Sequence, residues 1–228
     1  MVVQFSTIEP FLFWFLFWIL GWLGFYVLPK NKQSYTKNFI SVSAYFISAS
    51  VFIVYYYKDI LVNIYKALTI FQLILVLIFL SFIFLTYFIS NKFLKKPIEF
   101  IEKYSTAPFL ELDYRYIFSK SFEILYQQLL IIALAYLLYD AGLNLTMITL
   151  IFAAMFGLSH IGSLRYHKNM FGVIILFAAM VSSFFFPYLI LKFKYGFIYT
   201  YIAHWLFYSN TGLLFWIMNQ PIFKKRLN

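Results

Sequence analysis

Three titratable side chains stand in otherwise hydrocarbon-like sequence: Glu123 in "SFEILYQQLL", His160 in "FGLSHIGS" and His204 in "GFIYTYIAHWLFY". One carboxylate with two imidazoles can take a proton from water, pass it on and donate to a developing oxyanion. The same count, two His and one Glu, would also suit a catalytic zinc. However, the His-x-x-x-His spacing of helical zinc sites is absent, so neither a metal nor a cofactor is expected. The chain has no cysteine, which excludes thiolate catalysis, disulfides and Cys-ligated metal. Each of the three groups has a companion one helical turn away on the same face: Gln127 for Glu123, Phe156 for His160 and Tyr208 for His204. An ionisable group inside an apolar span is costly and usually faces a cavity or a partner. The plainer alternative is three separate structural groups, each hydrogen-bonded across helices. Asp140 falls at the outer end of its expected helix. His167 falls in a loop beside Arg165 and Lys168.

The elements that must position these groups are membrane helices. Hydrophobic residues make up 64% of the 228-residue chain and charged residues 11%, against about 25% charged in soluble domains. A span needs about 20 mostly apolar residues. Such runs occur at 10–29, 38–57, 68–90, 118–139, 146–164, 170–191 and 196–219. The expectation is therefore an all-α, polytopic membrane helix bundle of about seven transmembrane helices, forming a single transmembrane domain over 1–228. Residues 58–67 read as a short interfacial link. Residues 91–117 read as a polar loop with a short amphipathic helix. The opening MVVQFSTIEP lacks the basic region of a signal peptide, so the first run is expected to remain as a span.

Fourteen of the 18 Lys and Arg residues fall in alternate loops and the tail, and four fall in the others. The positive-inside rule then places the start outside and the tail "KKRLN" in the cytoplasm of an integral membrane protein, with the bacterial inner (cell) membrane as its expected home. The net charge of +10 fits contact with anionic membrane lipid, and no nucleic-acid partner is expected. Straight spans leave one conflict: Glu123 would lie about 7–8 Å from the cytoplasmic end of its helix and His204 about 22 Å from the end of the last. For the two to meet, the last helix must tilt, or the sixth must break near Pro187 so that Lys192 and Lys194 dip inward.

Taken in order, these motifs resemble the CPBP intramembrane proteases, the group that includes the CAAX prenyl endopeptidases and bacteriocin-processing relatives. That family carries E-E-x-x-x-R, then F-x-x-x-H, then H-x-x-x-N or D on successive membrane helices. "FGLSHIGS" is similar to the second motif, "GFIYTYIAHWLFY" to the approach to the third, and "SFEILYQQLL" to the family's E-E-I-L-F-R-G-L-L. The resemblance covers residues 110–212. It implies an intramembrane endopeptidase acting on a peptide or membrane-protein substrate, with Glu123 and His160 activating water. His204 and Tyr208 would donate to the oxyanion, and Gln127 and Phe156 would support them. The chain departs from the pattern at three places: Phe122 stands for the first glutamate, Gln127 for the arginine, and Tyr208 for the Asn or Asp. These losses keep open a non-catalytic scaffold or binding protein of the same fold. A small transporter is the other alternative, and it would string its polar groups along a path.

Overall fold

The computed structural model describes residues 8–30, 34–67, 69–104, 107–162, 164 and 170–221. His167, Arg165, Lys168 and the basic tail lie outside these residues. Among those described, the chain is all helical. The order is α1 (Glu9–Lys30), α2 (Phe39–Tyr56), α3 (Lys58–Ala67), α4 (Ile70–Phe93), α5 (Ile98–Lys103), a 3-10 turn (Pro108–Glu111), α6 (Tyr114–Asp140) and α7 (Leu145–Phe152). A π-helical segment (Ala153–Gly157), α8 (Met170–Lys192) and α9 (Gly196–Met218) complete it. Each of the seven apolar runs coincides with one of these helices, the fifth with α7 and its π extension.

Four helices, α2, α4, α6 and α8, are long and apolar enough to cross a membrane. Helices α2, α4 and α8 expose most of their apolar windows, but α6 is different: 67% of its apolar window is buried inside the protein, against 17–33% for the others. A span that contacts protein rather than lipid on most sides is the one that can carry polar groups cheaply. The core accordingly divides about α6. One cluster joins α1, α2 and α7 to the second half of α6 through Trp14, Phe46, Tyr126, Leu134 and Phe152. The other joins α4, the 3-10 turn, α8 and α9 to its first half through Ile83, Tyr116, Phe171, Trp205 and Trp216. Polar tips of large aromatics fasten the helices to α6 and its approach. Trp14 Nε1 donates to the Leu130 carbonyl at 2.8 Å, and Trp216 Nε1 to the Leu110 carbonyl at 2.6 Å.

The structure corrects two expectations. The fourth span does not begin at residue 118. Asp113 accepts a hydrogen bond from the Arg115 amide at 2.7 Å and caps α6 four residues earlier. Glu123 then lies nine residues after Tyr114, about 13 Å deep at 1.5 Å per residue, instead of about 7–8 Å. Nor is there a break at Pro187, which sits inside a single helix running to Lys192. The Ser182 and Ser183 hydroxyls bond the carbonyls of Ala178 and Ala179 one turn earlier, which satisfies both hydroxyls within the helix. Lys192 and Lys194 are exposed, not dipped inward.

Candidate functional site

Helices α6 and α9 run antiparallel, so residues meet in reversed order along the pair. Tyr208 meets Lys120, and His204, one turn back from Tyr208, meets Gln128, two turns on from Lys120. Because α6 starts early, Gln128 lies as deep in α6 as His204 lies from the end of α9. His204 therefore meets Gln128 and not Glu123, as the unbroken spans required.

Glu123 is fully buried, and its Oε1 accepts from Lys120 Nζ at 2.5 Å and from Gln127 Nε2 at 2.8 Å. Lys120 is itself 6% exposed and lies 4.1 Å from the Tyr208 ring centre. The charge of the ion pair is thus enclosed by protein. Ser119 Oγ donates to the Tyr35 carbonyl at 2.9 Å and docks the α1–α2 turn against this level of α6. The Tyr35 hydroxyl comes near the carboxylate without reaching hydrogen-bonding geometry, and it and Glu123 Oε2 are both buried and unpartnered. Burial first, and the Glu123 charge second, push the Tyr35 hydroxyl well above the ordinary tyrosine range, so it stays protonated.

The histidines lie elsewhere. His160 and His204 border one cavity of about 340 Å³ between α8 and α9, together with Tyr208. Small residues make the space: Ala178, Ala179 and Ser182 on α8 and Ala203 on α9. Val181 and Phe185, on the exposed face of α8, also border it, which brings the cavity to the lipid-facing surface. Glu123 is not among the bordering residues. The structure therefore brings the two histidines and Tyr208 together at the cavity, and it places Glu123 and Gln127 behind Lys120, which lies against the Tyr208 ring and so links the two levels.

The π segment positions His160. It widens the helix into the start of the "FGLSH" stretch, three residues before His160, and such bulges recur at functional sites. Gly157 ends it, where an added Cβ would collide with the Met180 side chain on α8. The His160 Nδ1–H donates to the Phe156 carbonyl at 2.5 Å, and the Trp22 ring meets the imidazole edge-on at 5.7 Å. The Phe156 ring itself turns away to pack on Trp14 and Phe152. On α9, His204 stacks on Tyr208 with ring centres 5.6 Å apart, and its Nδ1 accepts from Gln128 Nε2 at 3.2 Å. Of the three i, i+4 companions expected from the sequence, Gln127 and Tyr208 meet their partners through side chains, and Phe156 meets His160 only through its carbonyl.

These hydrogen bonds give the two neutral rings opposite tautomers. A carbonyl only accepts, so His160 carries its proton on Nδ1, and Nε2 is the unprotonated nitrogen of its neutral ring. With the Gln128 amide placed as above, His204 accepts at Nδ1, and the neutral ring carries its proton on Nε2. One cavity thus holds a basic nitrogen and an N–H donor. The residues that sequence reasoning missed are Lys120, Gln128 and Tyr35. Lys120 had a signal, a cation three residues before the only in-span glutamate. Gln128 had one in the doubled polar "QQ" of an apolar run. Tyr35 had none, because its place depends on tertiary docking. No group of three His, Asp or Glu residues suited to a metal occurs among the described residues.

Comparison of the chain with protein-family models, curated proteins and solved structures gives no match.

Proposed function

We propose that the chain is an intramembrane endopeptidase of CPBP-like design in which the histidine pair, and not the glutamate, faces the substrate. The observation that supports this reading is the single cavity bordered by His160 and His204 with opposite hydrogen-bonding roles. His160 Nε2 is the base for water. His204 Nε2–H donates to the carbonyl oxygen as it becomes an oxyanion, and His160 returns the proton to the leaving amine. Tyr208 holds the His204 ring by stacking. Glu123 holds Lys120, so that a lysine charge stands behind Tyr208 in place of the arginine of the family's first motif. The protein would sit in a bacterial inner membrane with its tail in the cytoplasm, as its Lys and Arg distribution implies.

The test is cleavage of a quenched-fluorescent peptide library by the purified protein in proteoliposomes. Parent protein is expected to cleave, with His160→Ala slower by about 10²-fold or more. Absence of cleavage by folded parent protein would overturn the reading. One observation favours a second reading, a non-catalytic binding protein: Glu123, the only fully buried carboxylate among the described residues, is held by Lys120 and Gln127 and does not border the cavity. In that case the cavity would bind a peptide segment without cutting it.

A further inference from the structure

A second pocket, of about 250 Å³, shares no bordering residue with the histidine cavity and lies at the C-terminal end of α4, where the 3-10 turn passes into α6. Its charged border is Lys96 on one side and Glu111 and Asp113 on the other. No ion pair joins Lys96 to either carboxylate. Opposite charges that border one pocket without meeting each other are complementary to a ligand carrying both signs. The apolar border is Phe84, Tyr87, Phe88 and Tyr114. Phe84 and Phe88 are 49% and 58% exposed on the lipid-facing side of α4. Phe84 lies seven residues before Asn91, about 10 Å deeper along the helix axis. The pocket is therefore apolar on its bilayer side and doubly charged at the helix end, where headgroups lie.

The pocket is also held in shape. Asn91 Nδ2 donates both to the Tyr87 carbonyl at 2.9 Å and to the Leu112 carbonyl at 2.8 Å, which ties the acidic turn to α4. Leu112 has φ 47°, a left-handed conformation costly for a branched side chain. Such strain persists where surrounding contacts over-determine it, and it concentrates at binding sites.

We propose that this pocket binds a zwitterionic aminophospholipid, a phosphoethanolamine headgroup on its acyl chains. Lys96 takes the phosphate. Glu111 and Asp113 take the primary ammonium by charge-assisted hydrogen bonds, which a quaternary ammonium cannot donate. The Tyr114 ring is occupied by the Arg115 guanidinium, 5.5 Å from its centre, so the ammonium is left to the carboxylates, and Phe84 and Phe88 meet the first methylenes of the chains.

The test uses the full chain in detergent with native mass spectrometry. Phosphatidylethanolamine, phosphatidylcholine and phosphatidylglycerol are added in equal amounts, and glycerophosphoethanolamine serves as a chainless competitor. The phosphatidylethanolamine adduct should exceed the other two, and the competitor should not displace it. Lys96→Ala and Glu111→Gln, both on the surface and outside the helical core, should each weaken it by about tenfold, as for one lost charge-assisted hydrogen bond. Helical circular dichroism checks that each variant is folded. Equal binding of the three lipids, or unchanged binding in both variants, would overturn the proposal. Displacement by glycerophosphoethanolamine at equal concentration would overturn the lipid as its source.

Discussion

At the scale of single residues, the decisive feature is that the one carboxylate expected to do chemistry is already engaged. Lys120 and Glu123 are buried together, and removing one member of such a pair leaves an uncompensated charge. Lys120→Met should therefore destabilise the protein by about 3–5 kcal/mol. The double variant Lys120→Met with Glu123→Gln should recover most of that loss, because no charge is then left alone. Unfolding curves in mixed micelles for the four members of the cycle measure this. A double variant as unstable as the two losses combined would show that the residues do not act as a unit. The site was partly legible at this scale. Spacing alone paired Glu123 with Gln127, His204 with Tyr208 and His160 with Phe156, because a helix places i and i+4 side by side. Spacing did not tell which helix faces which, and so it did not show that Lys120 and Tyr208 stand between Glu123 and the histidine cavity.

At the scale of elements, the span boundaries were legible to within a few residues, since about 20 apolar residues and polar ends fix a membrane helix. Two features were not. The start of α6 was misplaced because Asp113 and Arg115 read as the end of the polar loop, although they form the first turn and cap of the helix. A cation buried against a carboxylate reads in sequence like one at the interface, and only Asp113 marked the cap. The π segment was invisible because apolar residues surround it on every face and carry no period. Its function can be examined at Gly157. Gly157→Leu should drive the segment away from Met180, destabilise the bundle by about 1–3 kcal/mol and lower any cleavage activity with it. Gly162→Ala is the matched control. A Cβ there meets nothing within 4 Å, so thermal stability should be unchanged or slightly raised. Equal melting shifts for the two would contradict the role given to the π segment. A second check on element ends is Asn144, whose side chain accepts from the Met147 amide at 3.0 Å. Asn144→Ala should cost about 1 kcal/mol of stability and leave the cavity unaltered.

At the scale of the whole molecule, α6 is the central helix, and the remaining spans shield it from lipid. That arrangement explains how a chain with so few charges can keep an ion pair and two imidazoles in its interior. The Lys and Arg distribution predicts a cytoplasmic tail and an external start. Phosphatase and fluorescent-protein fusions at the two ends report this directly, and a cytoplasmic signal from both ends would contradict it. The central claim is that His160, His204 and Tyr208 share a cavity reached from the membrane, while the Glu123 level is sealed. Because the chain has no native cysteine, single-cysteine labelling has a clean background. In proteoliposomes with a membrane-permeant thiol reagent, Ser182→Cys and Ala203→Cys should react, and Ser119→Cys, beside the buried ion pair, should stay unlabelled until the protein is unfolded. Rapid labelling of Ser119→Cys in folded protein, or protection of both Ser182→Cys and Ala203→Cys, would contradict the account.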